Sequence, residues 1–103
     1  MLRVLGIDPG LGTTGWGMIA VSGNHLSPLG SGVIMTDPSQ SVPDRLRTLH
    51  EALAELLRTY APAEAAVEEV FVNRNGAATL KLGYARGIAL LAPALIGIPV
   101  AEY

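Results

Sequence analysis

Residues 4–17, Val-Leu-Gly-Ile-Asp-Pro-Gly-Leu-Gly-Thr-Thr-Gly-Trp-Gly, constrain the fold of this chain more than any other stretch. An apolar run suited to a buried strand delivers one acid, Asp8, at its end, and a glycine-rich turn follows at once. A carboxylate at a strand end can hold a hard cation, and glycines behind it let backbone approach a phosphate closely. What comes after the turn decides the fold. Gly10-Leu11-Gly12-Thr13-Thr14-Gly15 is a literal G-x-G-x-x-G, with Asp37 near the roughly 20-residue spacing of a ribose-binding acid. That dinucleotide fingerprint requires the turn to open a helix whose N-terminus receives the pyrophosphate. Here Trp16-Gly17-Met18-Ile19-Ala20-Val21, then Ser22-Gly23-Asn24, then residues 26–36 with Gly30 and Gly32 inside, read as two successive strands. No helix fits between Gly15 and Asp37, and no Gly-Lys-Ser/Thr exists for a Walker A loop.

The rest of the order follows. Strands are predicted at residues 2–8, 14–21 and 26–36, the last two joined by a Gly23-Asn24 hairpin turn. Ser41-Val42-Pro43-Asp44 opens a helix, with Ser41 as its cap and Pro43 and Asp44 in the first turn. Leu46, Leu49, Leu53, Leu56, Leu57 and Tyr60 recur at helical spacing as one apolar stripe, and Arg45, Arg47, Glu51, Glu55 and Arg58 form the opposite, solvated face. Ala61-Pro62 ends that helix. Residues 64–70 form a fourth strand that a crossover helix would set parallel to the first. Residues 71–76 read as a loop, and a second helix starts near Ala77, disturbed at Pro93 and capped by Gly97. Residues 98–103 are a fifth, buried strand. The expected class is α/β, a mixed five-stranded sheet in the order β-β-β-α-β-α-β, in a single domain spanning residues 1–103.

Composition narrows the chemistry. The chain has 103 residues, half of them apolar, a net charge of −2 and no cysteine. Disulfides, thiolate metal sites and thiol catalysis are excluded, and no global positive charge marks a nucleic-acid binder. Any polyanion contact must come from a local patch. His25 and His50 do not have zinc-site spacing. The apolar run 87–101 is interrupted by Pro93 and Pro99 and falls short of the ~20 residues needed to cross a bilayer. With no signal-peptide pattern at the N-terminus, a soluble cytoplasmic protein without membrane association is expected.

Glu68 ends the fourth strand as Asp8 ends the first. If the two strands are parallel neighbours, both carboxylates emerge at one sheet edge, where ligand sites collect in α/β sheets. Two adjacent acids repel unless a divalent cation lies between them, which is the physical case for a metal site. Glu69 points to the other face by alternation. The alternative is that Glu68 and Glu69 are a polar strand end. Beyond them, residues 70–86 hold three of the seven Lys and Arg residues and no acid. Phe71 beside Asn73 and Arg74 could stack a base while Arg74, Lys81 and Arg86 contact phosphates. Equally, Phe71 could plug the core and the cations could be ordinary helix surface.

Taken together, these segments resemble the RuvC-type Holliday-junction resolvases. The resemblance is carried by Gly6-Ile7-Asp8-Pro9-Gly10, Thr14-Gly15-Trp16-Gly17, Gly30-Ser31-Gly32, Val67-Glu68-Glu69-Val70-Phe71, residues 80–87 (Leu-Lys-Leu-Gly-Tyr-Ala-Arg-Gly) and residues 99–103 (Pro-Val-Ala-Glu-Tyr), in order along the whole chain. It implies an RNase H-like fold and a homodimer that binds four-way junction DNA and nicks two strands symmetrically with Mg2+ or Mn2+. It also implies a branch-migration helicase complex as a partner. By position, Asp8 and Glu68 would be metal-binding catalytic carboxylates, Phe71 the aromatic near the crossover and Arg74 a DNA contact. The second helix would contribute to the dimer interface through Ala77, Ala78, Leu82 and Ala85. On this reading the glycines after Asp8 form the turn behind a metal-binding aspartate.

The family completes its site with two further metal-binding positions and basic DNA-binding residues on C-terminal elements beyond Tyr103. The expectation is therefore an incomplete domain, truncated before the C-terminal helices and not competent alone, because in-line phosphodiester hydrolysis usually uses two metals. A non-catalytic dimerisation or DNA-binding remnant of a resolvase is a second reading. A third is an ATP-binding domain of the actin and sugar-kinase type, whose first phosphate loop has a similar outline but which needs a second loop in a far longer chain.

Overall fold

The computed structural model describes residues 1–69 and 76–103. Phe71, Asn73 and Arg74, and with them the expected loop and the last residue of the expected fourth strand, lie outside the described residues. The elements run β1 (Leu2–Asp8), β2 (Thr13–Ser22), β3 (His25–Met35), α1 (Val42–Tyr60), β4 (Glu64–Val67), α2 (Gly76–Leu95) and β5 (Val100–Glu102). They form one five-stranded sheet in the order β3-β2-β1-β4-β5. β1, β2 and β3 are an antiparallel meander, and β4 pairs parallel with both β1 and β5. This is the expected order and mixed class. β2 is where a dinucleotide fold would place a helix, so the G-x-G-x-x-G here is a strand-to-strand turn.

Alternation decides which face is covered. Leu5 and Ile7 on β1 lie opposite Met18 and Trp16 on β2. With Ala65 and Val67 of β4 they turn to the side that carries both helices, where Leu5, Met18 and Val67 are fully buried. Leu49, Leu53 and Leu57 of α1 and Ala85, Ala89 and Ala92 of α2 close that core from above. The small row on α2 lets the helix approach the sheet and α1 closely. Trp16 lies under α1 with its ring centroid 5.8 Å from that of Tyr60. Gly32 on the neighbouring strand is the seat for that indole, because a Cβ there would stand 3.0 Å from Nε1.

Caps fix the helix ends. Ser41 accepts a hydrogen bond from the Asp44 amide at 3.3 Å, with a proline in the first turn, as expected. α1 stops at Ala61, in the left-handed region at φ 45°, whose amide returns to the Leu57 carbonyl. α2 runs through Pro93, which is buried inside it. As expected it is capped by Gly97, φ 79°, where the Gly97 amide donates to the Ala94 carbonyl (3.0 Å) and the Ile98 amide to that of Pro93 (3.4 Å). These two bonds make a Schellman cap.

Three other expectations are corrected. Arg45 is not on the solvated face of α1: it is 8% exposed and its Nε donates to Thr36 Oγ1 at 2.9 Å. It stands one turn before Leu49 in the buried row 45-49-53-57, so the helix geometry carries it inward. β5 is not buried: Val100 is half-buried while Ala101 and Glu102 are exposed, because β5 is an edge strand. β4 closes at Val67; beyond it the Glu68 amide bonds to Ile7 of β1 and the Glu69 amide to Tyr103. No helix among the described residues is long and apolar enough to cross a membrane.

Candidate active site

The site is built on the sheet face that the helices leave bare. Val4, Gly6 and Asp8 of β1 point to it, facing Ile19, Gly17 and Gly15 of β2. The parallel register pairs Ile7 with Val67, and the Glu68 amide donates to the Ile7 carbonyl at 2.9 Å. Glu68 therefore falls level with Asp8 and on its face. Alternation then brings the two carboxyl groups together at the carboxyl ends of adjacent parallel strands, 60 residues apart in sequence. A broad, open depression of about 550 Å3 leads up to Asp8, floored largely by Val4, Gly6, Gly15, Gly17 and Ala66. Three glycines in that floor leave bare backbone beside the acids.

Asp8 is exposed and Glu68 half-exposed. The Glu68 carboxyl is held above the usual glutamate range, first by a hydrogen bond with Asp8, then by the negative charge of Asp8, and last by desolvation. The pair therefore favours taking up a proton more than a lone glutamate does. The donor set suits a hard divalent ion: both ligands are carboxylate oxygens, they are adjacent, and the bare floor leaves room for water or phosphate oxygens to complete the shell. Among the described residues no group of three or more His, Cys, Asp or Glu could hold a metal. The arrangement offers two protein ligands.

The turn behind Asp8 is braced from within. The Thr14 hydroxyl donates to the Gly10 carbonyl at 2.7 Å and accepts from the Gly10 amide at 3.2 Å. A Cβ at Gly10 would strike the Thr13 carbonyl oxygen, so the turn closes only around glycine. Asp37, the candidate ribose acid of the discarded reading, accepts from the Ser39 amide (2.9 Å) and hydroxyl (2.8 Å) in the turn before α1. Those bonds, the backbone one first, hold its carboxyl below the usual range.

The remaining expected site residues separate. Lys81 is exposed on α2 and borders a hollow with Arg45 and Gly12. Arg86 is paired with Glu102 of β5, and its buried Nε has no hydrogen-bond partner among the described residues. Its guanidinium is thus engaged within the chain. Ala77 and Ala78 are exposed and Leu82 is half-buried, whereas Ala85 is fully enclosed by the chain's own core. That corrects the expected interface: Ala85 lies on the inward row with Ala89 and Ala92. The outward row of α2 carries Leu80, Tyr84 and Leu91, exposed at 56%, 40% and 47%. Their spacing of four and seven was legible as a second apolar stripe.

The family of crossover junction endodeoxyribonucleases, RuvC, matches residues 4–103. The chain belongs to the RuvC family. It is 68% identical over 103 residues to the crossover junction endodeoxyribonuclease RuvC of Gluconobacter oxydans, covering all of this chain and 61% of that protein. Against Thermus thermophilus RuvC, solved in complex with a Holliday junction substrate, identity is 33% and the TM-score 0.90, over 100% of this chain and 64% of that one. The yeast mitochondrial Holliday junction resolvase shares the fold at a TM-score of 0.71 and 14% identity, over 98% of this chain and 50% of that one. The chain thus spans about six-tenths of the length of the curated RuvC relatives it matches. The sheet order and the match to RuvC make the fold RNase H-like.

Proposed function

We propose that this chain carries the first half of the catalytic carboxylate set of a Holliday-junction endonuclease, with Asp8 and Glu68 as ligands of Mg2+ or Mn2+. The observation behind this reading is the meeting of the two carboxyls across the β1–β4 pair, with the Glu68 carboxyl pushed above its ordinary range by Asp8. A divalent ion bound there supplies Lewis-acid stabilisation of a phosphoryl oxygen and a water made nucleophilic at neutral pH. Asp8, at the head of a braced turn, and Glu68 beside it would hold the ion. Two protein carboxylates suit one ion better than two.

Four-way junction DNA is the proposed partner because the family match spans nearly the whole chain and a relative was solved with that substrate. Phe71, Asn73, Arg74 and Lys81 are its proposed contacts; Arg86 is assigned to the intramolecular pair with Glu102 instead. A homodimer through the exposed row Leu80, Tyr84 and Leu91 of α2 follows from the solvent exposure of large apolar side chains on one helix face. A branch-migration helicase complex and a cytoplasmic location complete the reading by family resemblance.

Binding of Mn2+ followed by water-proton relaxation tests the metal, and anisotropy of a labelled four-way junction against duplex of equal length tests the partner. Wild type should bind both, preferring the junction, and Asp8→Asn should abolish Mn2+ binding. Mn2+ bound equally by Asp8→Asn removes the site assignment; no preference for the junction removes the substrate.

A further inference from the structure

The buried guanidinium of Arg45 is not used by anything above. It sits in the first turn of α1, where the positive end of the helix dipole disfavours a cation. It is 92% buried, and burying a charge without a counter-charge is costly. No carboxylate among the described residues forms an ion pair with it. Asp37 feels its charge only as the weakest of several influences. Its Nε is taken by Thr36 Oγ1, which in turn donates to the Leu11 carbonyl at 2.5 Å, so the side chain is held in place. Four of its five N–H donors remain on the two outer nitrogens. One of these nitrogens would stand 3.9 Å from a Cβ on Gly12.

Those nitrogens open on a hollow of about 350 Å3 lined by Leu11, Gly12, Arg45, Ala78, Lys81 and Leu82. Lys81 brings a second cation from α2, and no acid among the described residues lines the hollow. The hollow is at the same sheet edge as the acid pair, since Leu11 and Gly12 belong to the turn that follows Asp8. The lack of a side chain on Gly12 leaves the front of the guanidinium open. A fixed, buried cation facing an exposed one across bare backbone is a receptor for a compact, doubly accepting anion.

We propose that Arg45 and Lys81, over Gly12, form a seat for one backbone phosphate of DNA beside the Asp8–Glu68 pair. Arg45 supplies the fixed fork and Lys81 the mobile charge. The assignment to DNA rests on the junction-binding reading above; the anion seat itself does not. Bound there, a phosphate would set the position of its strand relative to the acids, which makes Arg45 a positioning residue.

The test uses the 103-residue chain in two arms. In the first, inorganic phosphate is titrated while the Gly12 amide and the Arg45 Nε–Hε resonance are followed by NMR. In the second, junction binding is measured against salt concentration. Wild type should show a saturable shift at both resonances. Lys81→Ala, at an exposed position, should weaken it. Gly12→Asp should abolish it with the fold retained, since the new carboxylate fills the seat and pairs with Arg45. Both variants should lower the slope of log affinity against log salt by about 1, the loss of one phosphate contact. Unmoved Gly12 and Arg45 resonances, with wild-type salt slopes in both variants, overturn the seat and leave junction binding standing. Saturable phosphate binding by a chain that binds no junction overturns the assignment to DNA and leaves the anion seat.

Discussion

The two faces of the sheet are made from the same strands and do opposite things. On the helix side Leu5, Met18 and Val67 are fully buried, together with Leu49 and Leu53 of α1. On the other side Ile19, Val33 and Met35 are exposed at 36%, 62% and 70%, among glycines and next to the acid pair. Alternate residues of β1 serve each face: Leu5 and Ile7 hold the fold, and Asp8 faces the open side as the proposed metal ligand. The helix side takes in one cation from α1, Arg45, held there by a hydrogen bond to Thr36 rather than by a counter-charge. The open side tolerates two adjacent carboxyls because water reaches them. Stability and reactivity are thus separated by a period of two residues.

The sharpest way to break this contrast is truncation on each side. Leu53→Ala should cost about 2–5 kcal/mol, as deletion of a buried leucine generally does. Ile19→Thr on the open face should stay within about 0.5 kcal/mol. Urea unfolding of both variants checks this, and comparable losses would mean that the open face is part of the core. A smaller effect is expected from the polar contact on the buried side. Thr36→Val removes the acceptor for Arg45 and the donor to Leu11, and should cost about 1–3 kcal/mol by leaving buried groups unpaired. Loss of under a few tenths in the same assay would show that water replaces the hydroxyl there.

The least costly change concerns pH. The folded protein, free of metal, holds the Glu68 proton more tightly than the unfolded chain does, because Asp8 lies beside it. The associated stability is complete below the ordinary glutamate range and disappears as pH rises through the raised value. Thermal midpoints measured in chelator across that window should fall with pH in wild type, and Asp8→Asn should remove the fall. A fall that persists in Asp8→Asn would place its origin elsewhere. An excess of Mg2+ should cancel it too, since the ion takes the proton's place.

Much of this was legible in residue order. The apolar strand ending in Asp8, the turn to a second strand, the Ser41 cap and the leucine row each follow from local rules, and the parallel pairing that joins Asp8 to Glu68 follows from a crossover helix. What was not legible depended on angle and neighbours. Arg45 reads as surface by its charge, yet its position one turn before Leu49 carries it inward. Ala85 reads as an interface residue by its size, yet it lies on the inward row of α2. Arg86 reads as a DNA contact until β5 brings Glu102 against it. Pro93 reads as a disturbance of α2, yet its carbonyl is used in the cap that Gly97 completes. In each case chemistry suggested a role and helical phase or a distant strand assigned another.

The shortness of β4 has a consequence for how the protein opens. Only four residues of ladder hold the strand that delivers Glu68, and beyond Val67 the backbone is tied by single amide bonds to Ile7 of β1 and to Tyr103, just past β5. On the proposed reading, a cation held by Asp8 and Glu68 would add a cross-link where the ladder runs out, and would bind only when β4 is docked. Occupancy and docking are then one equilibrium, so a ligand at the site slows hydrogen exchange along β4 and β5 before it alters exchange in α1. The catalytic ion would act as the clasp of the strand that carries its own ligand.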